Sequence, residues 1–252
     1  MKIKDPARLA IHAAFIVALV AAWEIAARSN LLDPTFFGRP SGIADYLKKG
    51  FAANGKLWIE LYYTLLGAGL SFVIGSVAAI GVGLVFAIFP RIHHATEPYL
   101  TFINAMPRIA LAPLFLLWFG LGVASKVAVG VSLVFFIVLA STIAGIRGVN
   151  ADHLVLSRSL GATPRQIFMK VTLPSAVPVI FSGLRLGLIF SLLGVVGSEL
   201  IAAEHGLGQT LAYLQSTFNM DGVMGILILL ALLGLSITAG MNRIEKKLLS
   251  WQ

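Results

Sequence analysis

The feature that most constrains this chain is a succession of long apolar runs. In a helix, about 20 residues at about 1.5 Å each suffice to cross a hydrocarbon layer about 30 Å thick. Six runs qualify: Leu9–Ala27, a stretch within Leu61–Phe89, Tyr99–Phe119, Val123–Ile146, Val177–Ala202 and Val223–Asn242. The third is interrupted by Pro107 and Pro113, and the second is long enough to tilt. Lipid offers the backbone no hydrogen-bond partners, so runs of this kind must be helical. The expected fold is an all-α integral membrane protein with six transmembrane helices. No water-soluble domain fits between them, so residues 1–252 read as one transmembrane domain with polar loops at about 28–57 and about 147–175.

Composition narrows the function. The chain is 58% hydrophobic and 12% charged, against about 45–50% and about 25% for soluble domains. A soluble core of this size has no room for so much apolar surface. The net charge of +8 marks span ends facing the cytoplasm rather than a nucleic-acid partner. With no cysteine there is no disulfide and no thiolate metal site. The chain holds no Gly-x-x-x-x-Gly-Lys-Ser/Thr phosphate loop, and its five histidines show no metal-binding spacing. The His93-His94 pair reads as a hydrated loop end, and Gly206–Thr210 as a turn or re-entry between spans rather than a phosphate cradle. No nucleophile has a base at useful spacing, so the chain by itself is not expected to be an enzyme.

Orientation follows from Lys and Arg near the span ends. With the N-terminus inside, 11 of them fall on the cytoplasmic side and 6 outside, five of those in the Arg28–Lys56 loop and the sixth Lys126. Both termini are therefore expected in the cytoplasm. The first run follows Lys2, Lys4 and Arg8 as a signal peptide would, but its length and its Trp23 and Glu24 favour a retained span.

The central polar loop carries unusually complete helix signals. Asn150 is placed to cap one short helix and Gly161 to stop it. Thr163, Pro164 and Gln166 then specify a second start by a Thr-x-x-Gln capping box, and Pro174 predicts its end. Ile167, Phe168 and Val171 form an apolar stripe beside the polar Arg165, Gln166 and Lys170. Helices this short need a partner surface, since isolated ones below about 12–15 residues are marginal in water. An ordinary loop whose charges only set topology accounts for the same spacing.

Gly161, nine residues, then Val171-Thr172-Leu173-Pro174 resembles the cytoplasmic signature of permease subunits of bacterial ABC importers: Glu-Ala-Ala, three residues, Gly, nine residues, Ile-x-Leu-Pro. The runs "MPRIALAPLFLLWFGLG", "LPSAVPVIFSGLRLGL", "SELIAAEHGLGQTL" and "RIEKKLLSW" resemble the branch that carries sulfonates, taurine and nitrate. The likeness covers about residues 10–252. It implies a type I importer permease fold with coupling helices between spans four and five, in a bacterial inner membrane. It implies docking on two ATP-binding subunits, which bind ATP and Mg, through Ser157, Arg158, Gly161, Ala162, Thr163, Arg165, Ile167, Phe168, Val171, Leu173 and Pro174. A second permease copy, expected as a homodimer, and an extracytoplasmic solute-binding protein complete the assembly, with membrane lipid around it and no nucleic acid. One position departs: the Glu-Ala-Ala triplet falls on Val155, Leu156 and Ser157, without the acid.

Charges at membrane depth mark candidate solute contacts. Arg108, next to Pro107, and Arg185 and Glu199 are the candidates, and guanidinium suits an oxyanion. Both arginines also suit helix packing, and Arg185 a cytoplasmic anchor. Glu24, beside Trp23 at a span end, is expected to snorkel. Gly75, Ala79 and Gly83, four apart, predict close helix packing. Residues Gly38–Lys56 read as a loop followed by an amphipathic helix, lying on the membrane or meeting a delivery protein. The rival reading is a secondary transporter without an ATPase partner, which predicts deep ion-coupling carboxylates and internal repeats. Deep carboxylates are few here, and no repeat is evident.

Overall fold

Five continuous helices long and apolar enough to cross a membrane dominate the computed structural model, which describes residues 6–29 and 31–248. They are α1 (Pro6–Arg28), α4 (Lys56–Ile88), α7 (Val123–Arg147), α10 (Leu173–Ile201) and α12 (Met220–Leu248). Between α4 and α7 lie α5 (Pro90–Asn104) and α6 (Ala112–Phe119), joined by a 3₁₀ turn at Arg108–Leu111 and bent by 81°. The third expected span is therefore not one helix from Tyr99 to Phe119. It starts earlier, at Pro90, and breaks between Asn104 and Arg108, where Pro107 supplies no N–H. Pro113 interrupts nothing, because it stands in the first turn of α6, where a missing N–H costs no intrahelical bond.

The centre of the bundle is α4, α7 and α10. They approach closely because small residues face the contact: Ala79 is fully buried, and a Cβ on Gly75 would lie 2.8 Å from Val134. Around Ala79 pack Phe86, Val134, Val138 and Leu139. The expected packing role of Gly75, Ala79 and Gly83 is thus observed.

The segment after α1 forms α2 (Pro34–Phe37) and α3 (Pro40–Lys48), then a π-turn at Lys49–Ala53. Asp33 caps α2, and the Thr35 N–H donates to its carboxylate at 2.8 Å, which holds that carboxyl below its ordinary pKa. The α3 helix is amphipathic as expected, but its apolar side is packed on protein. Tyr46, Leu47 and Phe51 lie against the cluster of Leu57, Leu207, Leu211, Leu214, Val223 and Ile226. Asp221, in the first turn of α12, fastens this segment by accepting from the Arg39 N–H at 2.6 Å. Glu24 reaches beyond its own helix turn to accept from the Ser41 N–H at 3.0 Å and Ser41 hydroxyl at 2.9 Å, besides pairing with Arg28 at 2.6 Å.

Candidate functional site: the polar elbow and the charges within the bundle

At one end of the bundle the 147–175 segment folds into α8 (Ala151–Ser159) and α9 (Pro164–Ile167). Asn150 caps α8 by accepting from the Asp152 N–H at 2.8 Å. Gly161 takes φ +77°, a left-handed conformation that turns the chain between the helices. Thr163 and Gln166 form the reciprocal capping box, with the Thr163 N–H donating to Gln166 Oε1 at 2.8 Å.

The predicted stop at Pro174 is not there. Beyond α9 the backbone passes through a π-turn, Phe168–Thr172, directly into α10, so one helical rod runs from Pro164 to Ile201. The Leu173 N–H bonds to the Phe168 carbonyl, five residues back, and Pro174 falls in the first turn of α10. A π-turn resets the hydrogen-bond ladder, and the proline stands where the rod can dispense with a donor.

The elbow has two faces. Toward the bundle, a cavity of about 740 Å³ separates it from the ends of α4 and α7, with Ile88, Ile146, Leu154, Arg158, Arg165 and Phe168 on its walls. Away from the bundle, a hollow of about 380 Å³ gathers Ser157, Gly161, Ile167 and Val171 with the polar Gln166 and Lys170. Thr163, Leu173 and Pro174 flank these faces along the same elbow. Beside these polar groups the elbow exposes large apolar side chains: Val155, Leu156 and Met169 are more than half exposed, and Leu160 is 78% exposed.

The charges within the helices are tied up internally. Glu199 is 1% exposed and Lys126 2% exposed. Lys126 Nζ donates to Glu199 Oε1 at 2.7 Å and to the His205 carbonyl at 2.9 Å. Thr64 donates to the same carboxylate at 2.9 Å, and so does the Gly208 N–H at 3.0 Å. Glu60 accepts from the Gly206 N–H at 2.6 Å, and Thr64 Oγ1 accepts from the Leu207 N–H at 2.8 Å. These N–H groups open α11 (Leu207–Ser216), a short helix between α10 and α12. Gly206–Thr210 is thus a turn whose anion positions are filled by the protein's own side chains, on α4 and α10.

Sequence reasoning treated Lys126 as a topology marker outside the membrane and passed over Glu60 and Thr64. The available signal was a Glu in the second turn of α4 and a Lys in the first turn of α7, both beside apolar runs. The other candidates also have partners. Arg108 is buried, donates to the Asn104 carbonyl at 3.1 Å and to Asn104 Oδ1 at 2.5 Å, and lies 4.1 Å above the Phe136 ring. Arg185 pairs with Glu245 on α12. No hydrogen bond or ion pair among the described residues joins Arg108, Arg185 and Glu199 to one another. His93 is not a hydrated loop end. It is buried in α5, edge-on to Phe86 at 5.0 Å, with its Nδ1 3.1 Å from Arg147 Nη2.

Residues 71–250 match the family described as binding-protein-dependent transport system inner membrane component. The chain belongs to that family. It is the membrane-spanning permease component of an ABC importer. It is 32% identical over 243 residues to the formylaminopyrimidine transport permease of Halalkalibacterium halodurans, covering 94% of each chain. It is 29% identical to a putative aliphatic sulfonates transport permease of Bacillus subtilis, over 93% of this chain and 84% of that one. To the taurine transport permease of Escherichia coli it is 28% identical, over 94% and 87%. Among solved structures, the methionine ABC transporter MetNI in an inward-facing conformation matches with a TM-score of 0.65 at 21% identity, covering 74% of this chain and 93% of that one. An amino acid ABC transporter matches with a TM-score of 0.60 at 20% identity, covering 75% and 92%. These likenesses show the fold, a type I importer permease.

Proposed function

We propose that this permease imports a small oxyanion, of the sulfonate, taurine or nitrate class, and is driven through the α8–α9 elbow by separate ATP-binding subunits. Relatives named for sulfonate and taurine transport support the solute class, and the 32% identical relative, named for formylaminopyrimidine transport, favours a small heterocycle as the second reading. The observation that carries the coupling reading is the continuous rod from Pro164 to Ile201. A push on α9 is transmitted to a spanning helix through unbroken helical backbone, with the π-turn at Phe168–Thr172 and Pro178 as its two points of bending.

The exposed apolar rim of Val155, Leu156, Leu160 and Met169 offers the ATP-binding partner a surface to bury. Two such subunits, each holding ATP and Mg, dock on two permease copies paired as a homodimer, and an extracytoplasmic binding protein delivers the solute. The elbow then faces the cytoplasm of a bacterial inner membrane, with both termini on that side. Alternating access follows when ATP binding closes the docked pair and the rods tilt.

The test is ATP-dependent uptake by the reconstituted complex. Gly161→Val forces a β-branched residue into a left-handed conformation, at about 1–2 kcal/mol or more. Ile167→Asp charges the apolar stripe. Both variants should keep ATP hydrolysis while losing at least tenfold in uptake, with the spans intact by circular dichroism. Uptake that persists without ATP would restore the secondary-transporter reading.

A further inference from the structure

The α5 helix stands off α7 across a cleft of about 150 Å³. At about 30 Å³ per water, that is room for roughly five waters or one small solute. The two walls differ in chemistry. On α5, His93, Glu97, Thr101 and Asn104 recur at spacings of four, four and three, which places them on one helix face, with Leu100 as the apolar residue among them. On α7 the wall is Phe136, Leu139, Ala140 and Ile143.

Guanidinium groups stand at both ends. Arg108 is bound to Asn104 and lies over Phe136 at one end, and Arg147 is bound to His93 at the other. The single carboxylate, Glu97, lies 3.7 Å from His94 and 3.9 Å from His93. Past His93 and Ile143 the cleft meets a second hollow, which shares Ala87 and Ile146 with the cavity behind the elbow. Three separate hollows thus lie in succession between the break at Arg108 and the coupling elbow, with His93, Ile143 and Ile146 in the partitions between them.

We propose that this α5–α7 cleft is a solute-contact surface for a small organic anion. Its acid group meets Asn104 and Thr101, with the Arg108 guanidinium held just behind Asn104, and its short carbon body lies on the apolar α7 wall. A polar stripe on a membrane helix is costly unless it faces a cavity or a partner, and here a cavity lies in front of it. The proposal rests on the transport reading and adds the residues that meet the solute.

The chain has no native cysteine, so a single introduced thiol reports without background when labelling is read on the separated permease chain. The assembled transporter in inside-out vesicles would carry Thr101→Cys or Ala140→Cys and meet two methanethiosulfonates, one bearing a sulfonatoethyl and the other a trimethylammonioethyl group. The sulfonate reagent should react at least fivefold faster at both positions. Arg108→Gln should erase that preference and Arg108→Lys should keep it. Equal rates, a faster cationic reagent or no reaction overturns the proposal. So does an oxidative disulfide between two copies through Thr101→Cys, which would place a second permease in the cleft. Labelling is read without transport, so absent ATP-dependent uptake would count against the function reading alone.

Discussion

Lys126 and Glu199 show why a single residue can matter more inside lipid than at a surface. Each is almost wholly removed from solvent, and the 2.7 Å pair between them is reinforced by Thr64 and the Gly208 N–H. Breaking one side of a buried pair costs about 3–5 kcal/mol, because the remaining charge has no counterpart. Lys126→Met should therefore lower the thermal stability of the detergent-purified protein sharply. Adding Glu199→Gln should restore more than half of the loss, since the neutral amide still accepts from Thr64 and Gly208. A double variant as unstable as the sum of the two singles would show that the pair is not coupled. At this scale sequence reading singled out Glu199 but gave it no partner. Its hydrogen-bond partners are Thr64, Lys126 and Gly208, and no local spacing encodes the contacts to residues 64 and 126, which are 135 and 73 positions away.

Helix α4 separates two kinds of glycine along a single element. A Cβ on Gly75 would meet Val134 at 2.8 Å, whereas one on Gly69 would meet nothing within 4 Å. Gly75→Val should destabilise by about 1–3 kcal/mol through overpacking against α7. Gly69→Ala should be neutral, or better by up to about 1 kcal/mol of helix propensity. Thermal unfolding of both variants checks this, and equal effects would remove close packing as the reason for Gly75. The elbow was legible at this scale because caps are local. Asn150, Gly161, Thr163 and Gln166 each act within three residues of their own position. Pro174 was misread for a related reason. A proline ends a helix only if the ladder needs its N–H, and the π-turn at Phe168–Thr172 shifts the ladder so that it does not.

For the whole molecule, the charge asymmetry predicts which end faces the cytoplasm, and the fold places α8–α9 and α3 at opposite ends of the bundle. Ser159→Cys on α8 should react with an impermeant maleimide in inside-out vesicles at least tenfold faster than in intact cells. Thr35→Cys on α2 should show the reverse, and the same sidedness for both would overturn the topology. By itself the sequence determined the solvent, the helical class, the number of apolar runs, the elbow with its caps, and through one spaced motif the family. These follow from length, periodicity and short-range hydrogen bonding, which act along the chain. Only the tertiary structure decided that the third span is broken by 81°, that Lys126 is buried against Glu199, and that Arg108 and Arg185 have partners. It also opened the cleft beside α5. Each of these depends on which faces of distant helices meet, and that is settled by packing rather than by any residue's neighbours in sequence.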